Sequence, residues 1–325
     1  MVVTAFLWCA FGLALLIGGA ELIVRGGTEV ASRFGVPQLV IGLTIVAIGT
    51  STPELAVGVD AALRGEGELA VGNIVGTNMV NILLILGLSA LIRPLAIRMQ
   101  VIRMDLPVIV LASLMLLAMA WDGKLSRTEG AVLAGAALIY TGLILHGARR
   151  ESRRARAEAA PGSVAEPAPP ATGQTVRSLV LLVAGIAIVV IGADWMVGGA
   201  VKLARHWGVS DAFIGLTIVA IGTSAPELVT TVISTIRDTR DIAIGNLLGS
   251  SVYNILLILG VTCLVPADGI PVGAELIRVD IPLMTGAALL CLPVFVTGRQ
   301  VTRAEGALFV AAYAAYFAYL LTARV

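Results

Sequence analysis

The chain has 325 residues, 58% of them hydrophobic and only 13% charged, against about 45–50% apolar and ~25% charged in an ordinary soluble domain. That is too little charge to cover a soluble globule and far too much apolar character for a disordered chain, so the solvent that suits it is a bilayer. The net charge of +1 leaves no broad basic field for nucleic acid, the three cysteines all sit in apolar stretches and make no disulfide framework, and two histidines are too few for a zinc site built on imidazole.

Charge-free runs mark ten spans: Val2–Ala20, Phe34–Pro53, Leu69–Ile92, Leu106–Trp121, Gly130–Leu145, Ser178–Ala193, Ala212–Pro226, Ile242–Ala267, Ile281–Gly298 and Gly306–Ala323. A spanning helix needs about 20 mostly apolar residues, and the shorter runs reach this by taking in a flanking residue or one charge. The first run has no positive n-region, its first basic residue being Arg25, so it is expected to remain as a helix rather than be cleaved. The second and seventh runs continue past Glu54 and Glu227 into more apolar sequence. Of the 22 Lys and Arg residues, seven fall on the side of the termini and fifteen on the other. The richer side is expected to be cytoplasmic, with both termini outside. Residues 149–177, rich in Ala, Pro and charge, are expected to form a disordered cytoplasmic loop that buries no core.

The chain repeats itself. IGLTIVAIGTS occurs at Ile41–Ser51 and again at Ile214–Ser224, an offset of 173. The same offset aligns GNIVGTNMVNILLILG at Gly72–Gly87 with GNLLGSSVYNILLILG at Gly245–Gly260. Five spans per copy is an odd number, so the second copy enters the membrane from the opposite side. The expected fold is an all-α polytopic membrane protein of ten transmembrane helices in two inverted five-helix repeats, residues 1–148 and 178–325. In secondary transporters of this design the substrate site lies near the midplane, in interrupted helices at the repeat interface.

The most similar segments carry the chemistry. The second span holds Gly49-Thr50-Ser51-Thr52-Pro53-Glu54 and the seventh Gly222-Thr223-Ser224-Ala225-Pro226-Glu227. A carboxylate in mid-membrane costs at least about 2.5–3.5 kcal/mol and is a functional residue by default. Each proline lacks the N–H that would bond the carbonyl four residues back, so carbonyls, hydroxyls and one carboxylate converge within a turn. These are hard oxygen ligands of the kind Ca²⁺ and Na⁺ take. Asn73, Thr77 and Asn81 in the third span, and Asn246, Ser250 and Asn254 in the eighth, lie at i, i+4, i+8 on one face. Asp105 and Asp280 are expected at the starts of the fourth and ninth spans, and Asp60, Glu21 and Asp194 near helix ends. No histidine or lysine lies mid-span to activate Ser51 or Ser224, so no hydrolytic centre is expected and the chain is not read as an enzyme.

The duplicated GTS-x-PE segments, each followed by GN-x-x-G-[TS]-x-x-x-N, resemble the two alpha-repeats of the sodium/calcium exchanger family, within the cation/calcium antiporters. The resemblance covers both repeats and the ten-span pattern. It implies Na⁺/Ca²⁺ antiport by alternating access, with Glu54 and Glu227 as ligands beside Thr50, Ser51, Thr223 and Ser224. It also implies contributions from Thr77, Asn81, Ser250 and Asn254, and from backbone carbonyls near Ala47 and Ala220. No cofactor beyond the transported ions and no obligate protein partner is expected. Asn254 stands where the potassium-dependent branch carries Asp, which argues against a K⁺ requirement, and Ser251 stands where the first repeat has Asn78. The chain lacks the large regulatory domain of the animal exchangers, which suits a prokaryotic inner-membrane form. H⁺/Ca²⁺ antiport through the same glutamates is the alternative, although that family shows different repeat signatures.

Overall fold

The structure is a computed structural model that describes residues 2–158, 172–208 and 220–323. Its helices in chain order are α1 (Val2–Phe34), α2 (Gln38–Thr50), α3 (Thr52–Leu63), α4 (Gly67–Ile92), α5 (Val101–Asp122), α6 (Arg127–Glu158), α7 (Thr172–His206), α8 (Ala220–Thr223), α9 (Ala225–Ile236), α10 (Arg240–Leu264), α11 (Leu276–Val296) and α12 (Arg303–Ala323). Among the described residues eight helices are long and apolar enough to cross a membrane, and α2 with α3, bent by 42°, makes a ninth candidate. The seventh expected span begins at Ala212, and residues 209–219 lie outside the described residues. So do residues 159–171 of the expected loop, whose two ends are helical as far as Glu158 and from Thr172.

Several boundaries differ from the charge-free runs. The apolar run of α1 stops at Ala20, but the helix goes on to Phe34. Its charges fall four apart and pair along the surface, Arg25 with Glu21 at 3.0 Å and Arg33 with Glu29 at 4.0 Å, so they extend the helix rather than end it. α5 and α11 begin a turn early because Val101–Asp105 and Leu276–Asp280 are wound as π-helix. Asp105 and Asp280 are not peripheral: both are buried, and each carboxylate accepts a tyrosine hydroxyl, from Tyr140 at 2.9 Å and from Tyr316 at 3.0 Å.

Glycine lines the seams between the two copies, Gly87 meeting Gly306 and Gly130 meeting Gly260, and two further seams carry several glycines each. In the first, α1 lies against α7. Gly12, Gly19 and Gly26 of α1 and Gly185, Gly192 and Gly199 of α7 line it, each set spaced seven apart and related by the repeat offset: Gly12 meets Gly192 and Gly19 meets Gly185, while Gly26 meets the Leu182 and Ser178 backbone and Gly199 meets Ala5 and Cys9. A Cβ on Gly12 would come within 2.5 Å of the Met196 nitrogen, and one on Gly192 within 2.8 Å of the Leu16 nitrogen. Without a hydrophobic force between helices in lipid, such backbone-to-backbone contact is what drives packing. In the second seam, α10 packs against α2, with Gly245 and Gly249 against the Leu39–Leu43 backbone.

Short strands tie the helix ends together across the copies. β1 (Leu95–Ala96) pairs antiparallel with β4 (Gln300–Val301), and β2 (Lys124–Leu125) pairs with β3 (Ile270–Pro271). At the end where β1 sits, Arg98 pairs with Asp241, Arg237 with Glu21, and Arg240 reaches the Pro94 carbonyl. At the end where β2 sits, Arg127 reaches the Leu264 carbonyl and the Val272 N–H donates to the Gly123 carbonyl.

The seam predicts its own sensitivity. Gly192→Leu drives α1 from α7 and lowers stability by about 1–3 kcal/mol, whereas Gly18→Ala, with no atom within 4 Å of its new Cβ, is near neutral. Thermal unfolding of the detergent-solubilised protein measures both.

Candidate functional site

Two helix breaks build the site. α2 ends at Thr50, and Ser51 leaves the helical region at φ −83°, ψ 11°. α3 then starts with Pro53 in its first turn, where a missing N–H removes no intrahelical bond. The second copy repeats this: α8 ends at Thr223, Ser224 sits at φ −85°, ψ 5°, and α9 starts with Pro226 in its first turn. Glu54 and Glu227 therefore both lie in the first turn of a half-helix, where exposed N–H groups favour an anion. Both are fully buried.

Hydroxyls from both copies gather on Glu227. Ser51 Oγ donates to Glu227 Oε1 at 2.9 Å and Ser250 Oγ lies 3.2 Å from the same atom. The Ala47 carbonyl accepts the Ser51 N–H at 3.1 Å and has Thr50 Oγ1 and Ser250 Oγ both at 3.3 Å. Asn246 bridges the copies: its Oδ1 lies 3.1 Å from Thr50 Oγ1, and its Nδ2 donates to Thr231 Oγ1 at 3.1 Å. α3 packs against α4 and the π-helical stretch Asn254–Leu259 of α10, while α9 packs against α10 and the π-helical stretch Val80–Ile85 of α4. Asn81 and Asn254 thus sit in wide turns against the glutamate-bearing half-helices. Such π-bulges recur at functional sites.

The remaining predicted ligands share a different property. Both oxygens of Glu54, Glu227 Oε2, Ser224 Oγ, Thr77 Oγ1 and both amide atoms of Asn81 and of Asn254 are buried without a hydrogen-bond partner among the described residues. Each such atom costs about 1–3 kcal/mol, and folded proteins hold few of them. Oxygen atoms left this way along facing helices, with two carboxylates among them, fit a desolvated cation. No cluster of three or more His, Cys, Asp or Glu occurs among the described residues, so neutral oxygens must complete any coordination shell. Thr223 is half-buried at the end of α8, and Ala220 begins that helix.

The sequence comparison agrees with this chemistry. A family model described as sodium/calcium exchanger protein matches residues 4–145 and 177–322, most of the chain in two blocks. The chain belongs to the sodium/calcium exchanger family. A putative antiporter, CaxA of Alkalimonas amylolytica, is 36% identical over 98% of both chains. The sodium/calcium exchanger MaX1 of Methanosarcina acetivorans is 29% identical over 98% of this chain and 99% of its own. The solved structure of the sodium-calcium exchanger NCX_Mj, soaked with 10 mM Na⁺ and zero Ca²⁺, superposes with a TM-score of 0.85 at 30% identity, covering 98% of this chain and all of that one.

Two groups in this exchanger-family site were hard to read from sequence. Asn246 shares a helix face with Ser250 and Asn254 in the sequence, and only the fold shows it joining Thr50 of the first copy to Thr231 of the second. Thr231 was not singled out, although hydroxyl residues at regular helical spacing after Glu227 were there to see. Asn246→Ala takes the Thr231 hydroxyl's donor away and leaves Thr50 Oγ1 with the Ala47 carbonyl, lowering stability by about 1–2 kcal/mol. Ser251→Ala, whose hydroxyl only bonds back to the Leu247 carbonyl, is near neutral. Denaturant or thermal unfolding separates the two.

Proposed function

We propose that the chain is a Na⁺/Ca²⁺ antiporter that works by alternating access. Glu54 and Glu227 supply the charge, while Thr50, Ser51, Thr223, Ser224, Thr77, Ser250, Asn81, Asn254 and the carbonyls of Ala47 and Ala220 supply neutral oxygens. The observation that carries this reading is the pair of fully buried glutamates at duplicated helix breaks, beside oxygens that have no partner among the described residues. A Ca²⁺ ion neutralises both carboxylates and replaces its water with protein oxygens. The names of the relatives support Na⁺ as the counter-ion.

In this reading the ten spans form two inverted five-helix repeats. The exchange-related pairing of β1 with β4 and β2 with β3 supports it, since each pair joins loops that an inverted arrangement puts on one face. The arginine-rich ends where Arg98, Arg237 and Arg240 make their contacts lie on the cytoplasmic side, with both termini outside, in a bacterial- or archaeal-type plasma membrane.

The site holds two carboxylates and no third, Asn254 being neutral. One Ca²⁺ cancels the charge of the site, whereas three Na⁺, the third on carbonyls, hydroxyls and amides, leave +1. Each cycle then moves one net charge, worth about 2.3 kcal/mol per 100 mV, and an inside-negative potential favours Na⁺ entry and Ca²⁺ extrusion.

Reconstituted protein is expected to take up Ca²⁺ against an imposed Na⁺ gradient and not against a proton gradient alone. Glu54→Gln and Glu227→Gln fold but lose exchange, because the cation is left short of a charge. Near-normal Ca²⁺ flux from either variant overturns the site. Separately, flux at a fixed Na⁺ gradient is expected to respond to a valinomycin-set potential. Indifference to voltage requires two monovalent ions per Ca²⁺ and rules out three.

A further inference from the structure

The two half-helices that start at the glutamates are not chemically equal. The offset of 173 that superposes Glu54 on Glu227 also superposes Val57, Gly58, Ala61 and Ala62 of α3 on Thr230, Thr231, Ser234 and Thr235 of α9. All four hydroxyl residues are fully buried. They stand three, four, seven and eight residues after Glu227, on one face of the helix. Thr235 bonds back to the Thr231 carbonyl at 2.8 Å, and Thr231 accepts from Asn246. Thr230 Oγ1 and Ser234 Oγ have no partner among the described residues, nor has Glu227 Oε2. Three unpartnered oxygens thus run along a single stripe at i, i+3 and i+7. From Glu227 to Thr235 the stripe is about 12 Å long at 1.5 Å per residue, and it ends one turn from the exposed Arg237 and Asp238. The equivalent stripe on α3 carries Val57 and Ala61, which offer a passing ion nothing.

We propose that this hydroxyl stripe of α9 is a one-sided cation path. Thr230 and Ser234 are transient oxygen ligands for a partly dehydrated Na⁺ or Ca²⁺ moving between Glu227 and the molecular face at which α9 ends. The inference rests on the antiport reading and adds to it that the two entrances differ. On the α9 side the ion trades its water for hydroxyls in steps, and on the α3 side it must do so at the glutamates themselves. The stripe is closed here by its burial, so ions pass only when α9 moves away from the helices packed on it.

Two experiments test it on the full chain. In the first, Ser234→Cys and Ala61→Cys are placed in a background lacking Cys9, Cys263 and Cys291, and a membrane-impermeant thiosulfonate is added from each side. Ser234→Cys is expected to be modified from the α9 end only, with Na⁺ or Ca²⁺ changing the rate. No modification from either side under any ion condition overturns the path, even where the parent proves not to exchange Na⁺ for Ca²⁺. In the second, Thr230→Val with Ser234→Ala gives α9 the lining of α3. Exchange is expected to slow about tenfold, the weight of two lost oxygen contacts, with equilibrium ⁴⁵Ca²⁺ binding in detergent unchanged. Unchanged exchange rates, or a parallel loss of binding, refute the path. Absence of Na⁺-coupled flux in the parent refutes the antiport reading alone.

Discussion

Glu54 and Glu227 bring two carboxylates into the middle of an apolar helical bundle with no ion pair to a basic side chain among the described residues. Leaving such groups charged in a bilayer costs at least about 2.5–3.5 kcal/mol each, and their mutual repulsion adds to it. The surrounding architecture answers that cost. The half-helix N-termini offer N–H dipoles, Ser51 and Ser250 offer hydroxyl protons to Glu227, and the wide turns at Asn81 and Asn254 hold further amides against the glutamate-bearing helices. Among the described residues no basic side chain answers the two carboxylates.

The breaks require a bundle that holds half-helices in place without their own length to anchor them. α9 has only twelve residues, short of the roughly 20 that span a bilayer. Its position is therefore set by neighbours: by α10 through the Asn246–Thr231 bond, and by α1 through their packing and the Arg237–Glu21 ion pair. The glycine seams serve the same end. α1 and α7 meet backbone to backbone, as do α2 and α10, so each copy is braced on the other. The inter-copy strand pairs fix the helix ends at both faces.

Duplication supplied the frame, and divergence between the copies supplied the asymmetry. Ser251 replaces Asn78, Tyr253 replaces Val80, and the hydroxyl residues of α9 replace the small apolar residues of α3. Tyr253 stacks edge-on against Tyr140 and shares a 2.8 Å contact with Thr141, so α6 braces the start of the π-turn at Asn254. Val80 in the first copy has no hydroxyl for such a contact. Matching helix breaks thus carry different side chains around them.

The sequence by itself determined the solvent, the duplication and the carboxylates, because each is a local property. Composition decides whether a chain can be wetted, identical segments at a fixed offset need no structure to be seen, and a glutamate after Thr-Ser-x-Pro in an apolar run stands out wherever it folds. The family followed from those motifs. Run length was a poorer guide to helix length, since the charges of α1 pair at i, i+4 and prolong a helix that the apolar run suggested should end. Only the tertiary structure decided which oxygens are satisfied. Ser51 and Ser224 occupy equivalent places in the sequence, yet Ser51 bonds the opposite copy's glutamate while Ser224 Oγ has no partner among the described residues. Asn246 likewise bridges two copies while Asn73 Nδ2 does not bond at all within that set. Hydrogen bonds between segments some 170 to 200 residues apart depend on how closely backbones approach, and that distance was fixed by glycines whose partners no local pattern could name.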